Sequence, residues 1–383
     1  MTKRSGRIWR RLMLVLLVIA IVESGAALIC RFLVAPLIWN PDLEQAHNNW
    51  DALASVADDE IGGYRVSGAK SNSEFPDNGH SCGSAYGDSY VGGADVANDK
   101  GWIEQLSHLL GCRVTNYAVG NYGTDQAYLR FRQVRDASPI ALLGINPNNV
   151  EDNINQYDGL LGSALEPTAL KGRFLLDSAG QLKWLPRPRV DREGFIAMNR
   201  KPAQTLPHSY FLPDTHDGPV TLRFPYTMTL ARVALMTRLH NILVRRAAWS
   251  SLYSADHPSG ALPLIAAICQ AFADLAKARG QRPLIVMLPL SHSFREKANY
   301  GEFEYAPLVA ALQAKGIEVF DPGQAMIDGL AGRSACEFYT NAHSGFALLT
   351  SPVPCGGHYS AAGNTTMAKL VAAELRRRNF VGR

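Results

Sequence analysis

The segment Ala85-Tyr86-Gly87-Asp88-Ser89-Tyr90-Val91-Gly92-Gly93 decides how the rest of this chain is read. An apolar run gives way to glycines around Ser89, so the serine falls at a strand-to-loop turn with its hydroxyl exposed, as a nucleophile must be. A serine hydroxyl is unreactive at neutral pH until a neighbouring base takes its proton. That base has to come from elsewhere in the chain. The best candidate is His358, in Gly356-Gly357-His358-Tyr359-Ser360-Ala361-Ala362-Gly363-Asn364.

Working outward, Trp102 and Leu106 follow at helical spacing. Asn116-Tyr117-Ala118-Val119-Gly120-Asn121-Tyr122-Gly123-Thr124-Asp125-Gln126 and Leu143-Gly144-Ile145-Asn146-Pro147-Asn148-Asn149 come next. In this order, and closed by the His358 segment, the blocks resemble those of the SGNH/GDSL hydrolases, over roughly residues 80 to 155 and 280 to 378. The resemblance implies that Ser89 attacks an acyl carbon and His358 exchanges the proton. It also implies an oxyanion hole built from the Ser89 N–H, the N–H of Gly120 or Asn121, and the Asn149 side chain. No metal and no cofactor is implied. Two positions depart from the family pattern. Asn121 stands where glycine is usual, and Cys355 stands three residues before the histidine, where an Asp is common. The imidazole then has three options: a dyad helped by a backbone carbonyl, an acid borrowed from Asp321 or Glu337, or a loss of hydrolysis altogether.

Composition bounds the alternatives. With 383 residues and 47% hydrophobic content the chain can bury a large core. The net charge of +4 comes from the first forty residues, where Lys3, Arg4, Arg7, Arg10, Arg11 and Arg31 face a single acid, Glu23. The remainder is near neutral, which excludes a basic nucleic-acid surface. Leu12 to Cys30 is mostly apolar and close to the ~20 residues that cross a bilayer core. Five positive charges precede it, so the positive-inside rule predicts a cytoplasmic N-terminus and a body exported to the periplasm, anchored in the inner membrane by one helix. A cleaved signal peptide is the rival; the length of the run favours an uncleaved anchor. Glu23 is costly within such a span unless partnered.

Six cysteines in an exported chain point to disulfides. Cys30 in the anchor and Cys269 on an apolar helical face are expected to be unpaired, with Cys82 joined to Cys112 and Cys336 to Cys355. Cys336, His343, Cys355 and His358 can also be read as a zinc set, but Cys336 and His343 lack a standard ligand spacing and export favours disulfides.

Residues 1–39 are read as cytoplasmic N-terminus and anchor, 40–79 as a connector with a polar helix near Leu43 to Val56, and 80–383 as the hydrolase-like domain. Strands are expected at Ser84–Tyr86, Cys112–Val119, Ile140–Ile145, Pro283–Leu288 and Gly316–Phe320. They alternate with helices at Trp102–Leu110, Gln126–Val134, Leu262–Ala278, Ala306–Ala314 and Ala361–Arg377. Such alternation predicts a three-layer α/β/α domain with a parallel sheet, similar to the flavodoxin-like fold of the SGNH hydrolases. Residues 151–259 interrupt it as an insertion, a candidate cap over the catalytic edge. It holds a hairpin across Asp177-Ser178-Ala179-Gly180, a proline-rich stretch from Pro186 to Pro219 without regular structure, and a helix from Thr229 to Trp249 carrying Arg232, Arg238, Arg245 and Arg246. His292 is read as a loop histidine near the site. The expected function is a serine esterase acting on acyl esters, chiefly O-acetyl groups of a cell-envelope glycan. The alternatives are an O-acyltransferase and a non-catalytic glycan-binding or polysaccharide-assembly component.

Overall fold

A computed structural model describes residues 2–53, 61–62, 68–76, 81–161, 167–340 and 355–381. Its centre is a five-stranded sheet of β1 (Gly83–Tyr86), β2 (Val114–Asn116), β3 (Ile140–Ile145), β4 (Arg282–Met287) and β5 (Val319–Phe320). The spatial order is β2-β1-β3-β4-β5 and every pair is parallel. β3 is buried along its whole length, as its unbroken Ile-Ala-Leu-Leu-Gly-Ile run requires of a strand covered on both faces. This is the doubly wound 2-1-3-4-5 order, in which the chain reverses direction between β1 and β3 and opens a crevice at their carboxyl ends.

Seven helices matter for the site, besides α1 (Thr2–Phe32) at the N-terminus. They are α2 (Trp102–Leu110), α3 (Thr124–Gln133), α4 (Tyr226–Ala234), α5 (Thr237–Leu243), α6 (Ala261–Ala278), α7 (Ala306–Ala314) and α8 (Ala361–Arg377). α2 packs on α8, while α6 packs on α3 and α7, and these two groups form the outer layers. Tyr86, Phe131 and Phe272 meet at ring-centroid distances of 4.5–6.4 Å and join the strand β1 to α3 and α6. α1 and α6 are each long and apolar enough to cross a membrane, but α6 lies in the domain core while α1 is mostly exposed, with Ala26 and Cys30 near its end buried.

Both expected disulfides are present, Cys82 to Cys112 and Cys336 to Cys355, and Cys30 and Cys269 are free and buried. Most element boundaries shift by one or two residues from the sequence reading, and four departures are larger. β2 stops at Asn116 because the Asn116 side chain accepts the Ala118 N–H at 3.1 Å and turns the chain. β5 starts only at Val319 because Ile317 still donates to Leu312 O, closing α7. The proline-rich stretch holds two helices, Arg192–Arg200 and Pro202–Thr205. Asp191 caps the first at Gly194 N, and Pro202 occupies the first turn of the second, where no N–H is needed. Thr229–Trp249 is not one helix: Met236 is extended and buried against Val34, Leu37, Val220 and Val233, which separates α4 from α5.

Candidate active site

Ser89 stands three residues beyond Tyr86, at the carboxyl end of β1 and beside the switch to β3. Gly87 makes the turn possible. Its φ is +156°, and a Cβ there would lie 2.4 Å from Val91 Cγ2 and 2.9 Å from Gly144 O, so a side chain fits neither the backbone nor the space. A single helical turn, Ser89–Gly92, follows, and the Asp88 carboxylate caps it by accepting the Tyr90 N–H at 2.8 Å.

His358 arrives from more than 260 positions away. Thr340 N donates to His358 O at 3.0 Å and Ser360 N donates to Phe338 O at 2.8 Å, so a short antiparallel bridge between Tyr339 and Tyr359 holds the histidine segment. Ser360 then caps α8 at Gly363 N. Asn364 accepts from Trp102 N at 3.0 Å and donates to Tyr359 O at 2.9 Å, pinning that segment to α2. Tyr90 donates to Gly357 O at 2.9 Å from the nucleophile side. The result is a contact of 2.8 Å between His358 Nε2 and Ser89 Oγ.

The third partner is one the sequence reading passes over. Asp95 Oδ2 lies 2.8 Å from His358 Nδ1 and also accepts from His358 N and Thr340 Oγ1, each at 3.3 Å. The hydrogen bond to His358 holds the Asp95 carboxyl below its ordinary range. Asp95 follows Ser89 by only six positions. The helical turn ends with Gly93 at φ 65° and Ala94 N donating to Ser89 O, and Asp95 itself is left-handed at φ 64°, so the chain doubles back beneath the imidazole. The borrowed acids of the sequence reading are elsewhere. Asp321 accepts from Tyr305 Oη and Gly323 N, each at 2.9 Å, and Glu337 pairs with Arg333. The dyad option is likewise corrected, and Cys355 is tied to Cys336, which also removes both from any zinc set; His343 lies outside the described residues. His292 sits on the helix Ser291–Tyr300, packed on Trp249, where burial pushes its imidazole down to about 4; it does not line the crevice.

The residues expected as oxyanion donors fall into two groups. Gly120 lies directly beside Ser89, with a hypothetical Cβ only 4.0 Å from Ser89 Cβ. Asn121 has φ 61°, a left-handed backbone that asparagine tolerates better than most residues, which accounts for glycine's usual place there. Asn149, by contrast, gives its amide to Asp88 Oδ2 and Asp152 Oδ2, each at 3.2 Å. Asn146, directly after β3 and not singled out from sequence, also donates to Asp88 Oδ2. Burial raises the Asp88 carboxyl, partly offset by the donors around it. Asp88 therefore ties the end of β1 to the end of β3, and it lines the crevice together with both asparagines.

The crevice encloses about 430 Å³. The sheet edge supplies Ser89, Asn121 and His358, and the 151–259 segment supplies Asp158, Thr168, Lys171 and Arg238 as the opposite wall. Lys171 is almost fully buried and ion-paired to Asp125 at 2.5 Å; Arg238 lies 3.4 Å from Glu151. Burial, reinforced by the nearby Asp158, raises Asp152 well above the carboxylate range, and burial lifts Asp158 up to about 6. The walls thus offer amides, carboxyls and paired cations, a lining that exchanges hydrogen bonds with hydroxyl groups.

No family model and no curated protein matches the chain. Among solved structures, a protein from Desulfitobacterium hafniense DCB-2 described as lipolytic and of the G-D-S-L family is 10% identical, at a TM-score of 0.33. That likeness covers 76% of this chain and 97% of the other. A protein from Bacteroides fragilis NCTC 9343 described as an acylhydrolase is 11% identical, at a TM-score of 0.32, covering 79% of this chain and 90% of its own.

Proposed function

We propose that this chain is a serine hydrolase of SGNH type that cleaves an acyl ester, with an O-acetyl group on a glycan as the preferred substrate class. The observation that carries the reading is the linear relay Ser89 Oγ to His358 Nε2 at 2.8 Å and His358 Nδ1 to Asp95 Oδ2 at 2.8 Å, opening into a polar crevice. Ser89 Oγ attacks the ester carbon while its proton passes to Nε2. The Asp95 carboxylate fixes the tautomer with Nδ1–H and offsets the imidazolium charge. The oxyanion takes hydrogen bonds from the backbone N–H of Ser89 and of Gly120 or Asn121. Collapse of the tetrahedral intermediate expels the alkoxide, which collects the proton from Nε2. A water, deprotonated by the same nitrogen, then releases the acid from Ser89.

The glycan preference is supported by the hydroxyl-matching walls and by a volume that suits a short acyl group on a sugar better than a long acyl chain. Transfer to a sugar hydroxyl instead of water uses the same acyl-enzyme and is the second reading; a wall built for hydroxyl groups favours it as much as hydrolysis. The non-catalytic reading drew its force from a missing acid, and Asp95 removes that ground. We further propose that α1 anchors the protein in the inner membrane with the domain on the periplasmic side. The test is fluorophosphonate labelling and aryl acetate turnover of the full chain, with Ser89→Ala as control. Expected is labelling and turnover that Ser89→Ala abolishes at unchanged melting temperature; labelling that never occurs, or survives the substitution, overturns the reading.

A further inference from the structure

α4 packs against α1, the helix apolar enough to cross a membrane, and one side chain sets the height of that contact. Glu23 of α1 accepts the N–H groups of Tyr226 and Thr227 and the Thr227 hydroxyl. It is the cap of α4, because the residue at the helix's own cap position, Pro225, has no side chain that can serve. The first turn of α4 therefore lies level with Glu23.

The position of Glu23 along α1 follows from the charges around it. Between Arg11 and Glu23 lie eleven residues, Leu12 to Val22, which span only about 16 Å at 1.5 Å per residue, against a hydrocarbon core of ~30 Å. Placing Glu23 at the membrane surface would pull Arg10, Arg11 and Arg7 into hydrocarbon. A span from Leu12 to about Arg31 leaves those arginines outside and puts Glu23 roughly 12 Å below Arg31. Only the second placement leaves a single charged group inside, and that group is fully hydrogen-bonded by a helix N-terminus.

Whatever caps Glu23 must then lie inside the lipid as well. The outward residues of this element are suited to that: Phe224 is 71% exposed, Met228 60% and Leu235 85%, while Leu230, Val233 and Met236 turn inward. Arg223 and Arg232 do not stand free on it, since both pair with Asp214.

We propose that Phe224 to Leu235 is a second membrane element, immersed beside α1 in the lipid leaflet on the side of the folded domain, with Phe224, Met228 and Leu235 in contact with acyl chains. This rests on the anchor reading of α1 and is independent of the chemistry at Ser89. It makes the attachment two-pronged. Because α5 follows α4 directly and carries Arg238 into the crevice wall, the site is held at a set height above the membrane rather than on a free tether.

The test uses the full chain in phospholipid nanodiscs, with nitroxide labels at Met228→Cys and Leu235→Cys, and at Val15→Cys and Ser178→Cys as lipid and water references. The unsubstituted chain gives the background from Cys30 and Cys269, and thermal melting checks the fold of each variant. Expected is collision of the 228 and 235 labels with oxygen in preference to a water-soluble nickel chelate, as at position 15, and the reverse at 178. Nickel preference at either 228 or 235 with oxygen preference at 15 overturns the proposal alone. Nickel preference at 15 as well overturns it together with the anchor. Fluorophosphonate labelling of Ser89 in the same samples reports separately on the hydrolase reading.

Discussion

Two carboxylates in this molecule do the same local job in opposite settings. Asp88 caps the turn beginning at Ser89 from the residue immediately before it, inside the domain, and spends its second oxygen on Asn146 and Asn149. Glu23 caps α4 from more than 200 positions away, on a helix most of whose described side chains are exposed. The first carboxylate organises the candidate site. The second joins the apolar N-terminal helix to the body. A helix N-terminus accepts an acid from any distance in sequence, so capping by itself does not say whether an acid serves chemistry or assembly; its remaining oxygen contacts do.

The sharpest test of the catalytic side of this contrast is Asp95, which holds the imidazole from the loop that Asp88 starts. Asp95→Asn should lower kcat about 10³- to 10⁴-fold, as loss of the orienting acid does in a relay of this type, with little change in melting temperature because the carboxyl is partly exposed. A change below tenfold would return the site to a dyad. Asp88→Ala strips partners from two amides and one N–H in a buried setting and should cost about 2–4 kcal/mol in chemical denaturation of the domain, with activity lost in parallel. Glu23→Ala in the bilayer-embedded chain should cost only about 1 kcal/mol, the usual value of a cap, and leave turnover intact. If the two losses were equal, the contrast would fail. Replacing Cys336 and Cys355 by Ser reopens a loop with a sequence separation of 19 and should cost about 3 kcal/mol, read as a fall in melting temperature under oxidising conditions.

The smallest effect concerns the crevice wall. Asp158 has a folded-state value raised to about 6 from an ordinary 3.8, so its protonated form is the one the fold favours. Its contribution to stability is fully present below the ordinary value and is lost as pH rises through about 6. Asp158→Asn should therefore flatten the decline in melting temperature of the wild-type chain between pH 4 and pH 7, a difference measurable by scanning calorimetry.

Much of the site is legible before any coordinates. Ser89 announces itself by glycines after an apolar run, His358 by its place ahead of the last helix, and the buried strand β3 by its uninterrupted apolar run; compartment and elimination leave four cysteines, and the pairing expected from their positions is the one the structure has. Asp95 is not legible in the same way, because its role depends on two left-handed residues, Gly93 and Asp95, and an aspartate after glycines reads as an ordinary turn former. Asn149 falls after β3 and lines the crevice, as its place in the string suggests, but the partners of its amide, Asp88 and Asp152, are not legible there. The break at Met236 is invisible in a pattern that stays helical, since packing against Val34 and Leu37 decides it.

What the amino-acid sequence alone determined is everything governed by short-range periodicity and composition: the alternation of strands and helices, an apolar N-terminal run preceded by positive charge, and a serine and a histidine at element ends. What only the tertiary structure decided is which distant groups meet: Asp95 under His358, Lys171 against Asp125, Glu23 at the head of α4. The physical reason is that hydrophobic period and turn chemistry act over a few residues and leave a trace in the string. A hydrogen bond between remote polar groups depends on where the backbone carries them, and no local pattern records it.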